Sequence, residues 1–258
     1  MKKEKIERKD RIKSKRAGNN RRKLRNDMNY NEKCDFLNSL IDSPNDLEFQ
    51  LNMNVILKLS KDRSPFIRSL VAKLLFDYNN DFSKNILLEL TNDKDNLVRV
   101  EAADSLKSFI DIEVFNRLKY MAEFDRYYLS RAYSIYCMSI TGISLKQIGL
   151  SAFILDRLKK EKYVINKISC HQSLYVLGNK ESIFDLMGCF NSNNYKNKCA
   201  VINALIEILS VENINDIKNY ISSLNSNELP SSVSSSIKIL SDKINNFTTY
   251  SIIENDYT

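Results

Sequence analysis

Ile67-Arg68-Ser69-Leu70-Val71-Ala72-Lys73-Leu74-Leu75 returns 31 residues later as Val98-Arg99-Val100-Glu101-Ala102-Ala103-Asp104-Ser105-Leu106. A third copy, Leu129-Ser130-Arg131-Ala132-Tyr133-Ser134-Ile135-Tyr136-Cys137, follows after another 31. Weaker copies begin at Asn166 and Asn197, so the steps are 31, 31, 37 and 31. A period of this size marks stacked helical units, none of which can bury its apolar face alone. The expected fold is all-α, a right-handed α-α superhelix built as a solenoid of about six helix pairs.

Composition agrees with that architecture. The 258 residues are 43% apolar, and five glycines with three prolines are few for a strand-and-turn fold. Cys34, Cys137, Cys170, Cys189 and Cys199 are odd in number, and no pair is spaced Cys-x-x-Cys. The first residues are charged with no apolar stretch behind them, and no run is long enough to span a bilayer. The expectation is a cytoplasmic, thiol-reduced protein that does not insert into membranes. Net charge is +7, but residues 1–27 hold 13 basic and 4 acidic side chains. The remainder holds 26 basic and 28 acidic, a net of −2, so the basic character belongs to the tail.

Domain boundaries follow from the same pattern. Residues 1–27 carry too few apolar side chains to order themselves and read as a disordered basic tail. Residues 28–45, with Cys34, Phe36, Leu37, Leu40 and Ile41, read as a capping helix. Residues 46–244 are the solenoid and 245–258 a C-terminal tail without a usable period. The predicted pairs are 46–60 with 64–78, 82–92 with 95–110, 112–124 with 127–141, 145–160 with 163–177, 181–190 with 194–210, and 213–224 with 229–244. Ser43-Pro44 and Ser64-Pro65 read as serine N-caps before proline at the first helical position, and Leu229-Pro230 marks the last helix. Gly142 and Gly178 are expected as C-caps. Leu47, Phe49, Leu51, Met53, Val55, Leu57 and Leu59 alternate as in a strand. Their length, their Leu and Met content and their slot in the repeat assign a helix, with 47, 51, 55 and 59 on one face.

The second helices resemble the HEAT repeat and its phycobilin-lyase-type variant. The likeness rests on Val98-Arg99 with Ala102, Ala103 and Leu106 behind Asp93 and Asp95, and on Ile67-Arg68 with Ala72 and Leu75 behind Asp62. Lysine replaces the arginine at 167 and 198, and Ser130 stands in its place in the third copy. The resemblance spans roughly 46–244. It implies that Arg68 and Arg99 are structural and bond the turn aspartate of an adjacent repeat. Lysine lacks the bidentate fork, so the junctions at Lys167 and Lys198 should be looser. The resemblance is informative about architecture and almost silent about activity.

No catalytic, cofactor-binding or metal-ligating constellation is singled out. The only histidine, His171, has no second histidine to complete a site, and Cys170 beside it points about 100° away on a helix. The five glycines form no phosphate loop. HEAT-like DNA glycosylases are known for a basic cleft with tryptophan, whereas this chain has no tryptophan and a body of net −2. Neither that activity nor the lyase activity is carried over.

The reading is therefore a non-enzymatic scaffold that grips a protein partner on the concave face of the solenoid. Exposed second-helix residues, among them Lys73, Glu101, Asp104, Arg131, Gln172 and Asn203, would set specificity. Tyr127, Tyr128, Tyr133 and Tyr136 read either as core packing of the third repeat or as a contact patch. The alternative is a nucleic-acid- or ribosome-associated protein anchored by Lys13, Lys15, Arg16, Arg21, Arg22, Lys23 and Arg25. No aromatic interleaves those cations, so they would take phosphates and not bases.

Overall fold

A computed structural model describes residues 28–224 and 229–255 of the chain. The tail residues Lys13, Lys15, Arg16, Arg21, Arg22, Lys23 and Arg25 lie outside the described residues. The described residues are helical throughout, with no strand. They divide into two compact units, one ending at Ser108 and the other beginning at Phe109.

The first unit holds α1 (Tyr30–Asp42), α2 (Asp46–Leu59), α3 (Pro65–Leu75), α4 (Asp81–Leu90), α5 (Asn96–Ser105) and a 3-10 turn (Leu106–Ser108). Here α1, α3 and α5 pack in series, and α2 and α4 cover α3 and α5. The shared core holds Ile67, Val71, Leu74, Val98, Ala102 and Leu106, all fully buried. Burial of each large aliphatic side chain contributes about 1.5–3 kcal/mol. Ala72 and Ala103 are fully buried as well, and their small side chains allow close approach of the backbones.

The second unit holds α6 (Ile112–Phe124), α7 (Tyr128–Ser144), α8 (Leu150–Lys160), α9 (Val164–Val176), α10 (Ser182–Gly188), a 3-10 turn (Cys189–Asn191), α11 (Tyr195–Ile208), α12 (Ile214–Ser223) and α13 (Ser231–Asn255). The same arrangement recurs: α7, α9, α11 and α13 form the packed series, with α6, α8 and α10 against α7 and α9. The boundary expected at 244/245 falls inside α13, which continues to Asn255.

Several local expectations change. The alternating segment is indeed helical, but its buried stripe is Phe49, Asn52, Ile56 and Leu59. Leu47 and Leu51, expected on one face with Leu59, are 67% and 74% exposed. Phe49 turns inward to stack on Tyr78 at 3.8 Å. The cap of α2 is Asn45 and not Ser43, because the Asn45 side chain accepts the backbone N–H of Glu48. Ser64 precedes Pro65 as expected, yet its side chain makes no capping bond, and its own N–H donates to Asp62. Gly178 takes the left-handed conformation after α9 (φ +100°), and the N–H of Asn179 closes the turn onto Leu174 O. Gly142 is not a cap but lies inside α7, where a Cβ would sit 2.7 Å from Leu150 Cδ1 and 2.9 Å from Phe115 Cε2. The absent side chain is what lets α7 meet α6 and α8 there.

Candidate functional site

The turns between paired helices carry the densest electrostatics. The fourth residue of α1, α3, α5, α7, α9 and α11 is basic: Lys33, Arg68, Arg99, Arg131, Lys167 and Lys198. In the first unit the Arg68 guanidinium forks onto Asp93, Nε to Oδ2 at 2.6 Å and Nη2 to Oδ1 at 2.7 Å. Its Nη1 donates to the carbonyl of Asp62 at 2.7 Å. Lys33 Nζ reaches Asp62 at 2.7 Å, so the capping helix α1 carries the same link to the next turn. Arg99 is buried and donates through Nη1 to the Asp93 carbonyl and through Nη2 to Asn96 Oδ1. Burial pushes the Asp93 carboxyl upward, but the hydrogen bonds from Arg68 and the Asp95 N–H, with the Arg68 and Lys94 charges, together outweigh it and hold the carboxyl below its ordinary range.

In the second unit Arg131 takes this role. Its Nε and Nη2 fork onto Glu161 at 2.9 and 3.0 Å, and its Nη1 donates to Asp125 O at 2.9 Å. Ser130 therefore does not replace the arginine; one inserted residue moves it to 131, which the fixed 31-residue comparison hid. Lys198, unable to fork, donates to Phe190 O at 2.9 Å and lies over the Phe190 ring. Lys167 is exposed.

The residues expected to face a partner separate into two sets. In the first unit Lys73 is exposed, while Glu101 is partly buried. Burial and then Asp104 raise the Glu101 carboxyl, with Lys73 and Lys107 opposing. Asp104 pairs with Lys107 at 2.8 Å. In the second unit Asn203 is exposed. Arg131 is not available to a partner because Glu161 holds it. Gln172 is not exposed: it is 5% accessible and hydrogen-bonds the Tyr136 phenol. Burial, with the Glu207 charge, drives that phenol above its ordinary range. Tyr133 is 41% exposed, so the tyrosines divide between interior and surface.

Tyr127 and Tyr128 meet at 5.0 Å, and Tyr128 stacks on Tyr163 at 4.5 Å with an interplanar angle of 18°. Nothing in the repeat pattern singles out Tyr163. It was missed because contact between residues 128 and 163 depends on how α7 and α9 stack. Beside it a cavity of about 230 Å3 opens among Arg131, Arg157, Lys160, Glu161, Lys162 and Tyr163. Glu161, with 2% of its side chain exposed, also accepts from Arg157 Nη2. Burial would raise the Glu161 carboxyl, but the bonds from Arg131 and Arg157 hold it below its ordinary range.

His171 lies 3.8 Å from Asp185, and burial lowers its imidazole pKa. Burial pushes the Cys170 thiol up to about 12, opposite to the shift a nucleophile needs. Among the described residues no three His, Cys, Asp or Glu side chains cluster to hold a metal. Among them, too, no helix is long and apolar enough to cross a membrane. The sequence matches no family model and no curated protein.

Proposed function

We propose that the chain is a HEAT-like solenoid scaffold that binds a protein partner on the concave face of its second helices. The observation that carries this reading is the side-by-side packing of second helices within each unit, α1–α3–α5 in one and α7–α9–α11–α13 in the other. Such a series presents one face of each helix to a ligand, and fold alone names no chemistry. Lys73, Glu101 and Asp104 would supply charge in the first unit; Tyr133, Asn203 and Glu207 would supply contacts in the second. Tyrosine offers large contact area at low entropic cost.

Site-specific photo-crosslinking tests it. A crosslinker at Asn203 or Lys73 should capture one defined protein from source cells. The same group at exposed Glu113 on the first helix α6 should capture none. Equal capture from both positions would exclude the second-helix face as the recognition surface.

A further inference from the structure

The chain's charge is segregated within its body. Residues 123–167 hold 8 basic and 4 acidic side chains, against a net of −2 for everything after residue 27. The excess cations gather around the turns before α7 and α9. Two guanidiniums, Arg131 and Arg157, share the single carboxylate of Glu161 in the cavity wall. The Asp125 carboxylate accepts the backbone N–H of Tyr127 at 2.8 Å, and Lys160 is held by Asp156 at 2.6 Å. Arg157 is 8% exposed and lines the cavity, yet its buried Nε has no acceptor. Lys162 is exposed on the rim with no acidic partner among the described residues. Glu123, Asp125 and Glu161 are the acids of the lining, against Arg131, Arg157, Lys160 and Lys162.

The aromatic residues beside this cavity occupy costly places. Tyr127 and Tyr163 are the N-caps of α7 and α9, and neither makes a side-chain capping bond. Asn or Asp caps α1, α2, α4, α5, α6 and α11 through such bonds. A tyrosine there forgoes about 1 kcal/mol of helix stabilisation. Tyr163 stacks on Tyr128 and remains 51% exposed, with no second ring partner among the described residues.

A cavity of about 230 Å3 is too small for a whole drug-sized ligand, which needs at least about 300 Å3. It admits one anionic group, next to an exposed ring. We propose that this corner of the second unit binds a nucleoside phosphate. The phosphate enters the cavity against Arg157 and Lys162, and the base stacks on the exposed ring of Tyr163. Base–tyrosine stacking tolerates any base, so the site discriminates single-stranded from paired forms and not one sequence from another. The source is either a free nucleotide or an unpaired stretch of nucleic acid, since both present this pair of groups.

The test is a titration of the full chain with adenosine monophosphate, a labelled oligo-uridylate, the same oligonucleotide as a duplex, and inorganic phosphate. Tyr163→Ala, Tyr163→Phe and Lys162→Ala are compared with the wild type, with thermal melting as the check on folding. The expected result is binding of the monophosphate, the single strand or both. Tyr163→Ala should weaken it by about 5- to 150-fold, the range for one lost base stack, and Tyr163→Phe should restore it. Monophosphate bound without the oligonucleotide supports the site with a free nucleotide as its ligand. Oligonucleotide bound without the monophosphate supports it with an unpaired strand. Oligonucleotide binding unchanged in Tyr163→Ala assigns the affinity to cations elsewhere and overturns the proposal. Competition by inorganic phosphate equal to that of the monophosphate, or equal affinity for the duplex, overturns it too. Binding of neither nucleotide form does the same, and leaves Tyr163 to a protein contact.

Discussion

Replacing Arg68 with methionine should destabilise the first unit far more than removal of a surface charge. The side chains of Arg68 and Asp93 are 6% and 10% exposed, and the fork uses two contacts of 2.6 and 2.7 Å. Removing one partner of such a pair leaves a desolvated charge, which costs about 3–5 kcal/mol. Asp93 would keep one donor, the backbone N–H of Asp95 at 2.8 Å. The lower half of that range, about 3–4 kcal/mol, is therefore expected. The diagnostic feature is a change of sign. Asp93→Asn should destabilise the wild type, because it weakens the fork. In the Arg68→Met background it should instead recover about 1–2 kcal/mol, because it removes an unpaired buried charge while keeping the acceptor for Asp95. The chain has no tryptophan, so urea unfolding is followed by far-UV circular dichroism. Native-state hydrogen exchange then localises the loss to α3–α5. A loss below about 1 kcal/mol, as for an exposed pair, would refute the reasoning. So would equal effects of Asp93→Asn in both backgrounds.

Gly142→Val should destabilise the second unit by about 1–3 kcal/mol through overpacking, and Leu150→Ala should suppress part of the loss in thermal melts. A neutral Gly142→Val would mean that α8 moves aside freely. Glu161 has its carboxyl held low in the folded state, so its stabilisation is present in full above the ordinary value of 4.5 and is lost as pH falls through the lower folded value. Unfolding titrations of Glu161→Gln should show lower stability at neutral pH and a shallower acid slope. An unchanged slope would assign the acid sensitivity to other carboxylates. In native protein near pH 8, a thiol reagent followed by peptide mass spectrometry should label Cys34 and Cys199, which are partly exposed, before Cys137 and Cys170, which are buried. Early labelling of Cys170 would contradict a thiol pushed up to about 12.

The helix content and the order of first and second helices were legible because the apolar spacing of an amphipathic helix is local. The segment 47–59 shows the limit of that reading. Chain length and composition named a helix, but its inward face was decided by Phe49 stacking on Tyr78, which belongs to the stretch after the next helix. The candidate surface divided in the same way. Exposure of Lys73 and Asn203 follows from helix phase alone. The loss of Gln172 to the Tyr136 phenol and of Arg131 to Glu161 depends on partners 36 and 30 residues away.

By itself the sequence determined that this chain folds as a series of amphipathic helices, because the spacing of apolar positions along a helix is a property of the chain alone. Tertiary structure alone decided which charges are engaged and which rings stack. An inserted residue kept Arg131 at the fourth position of α7, where its guanidinium meets Glu161 from the next pair. The stacking of α7 on α9 set Tyr163 against Tyr128. Both outcomes depend on distances across the helix layer, which a one-dimensional pattern does not encode.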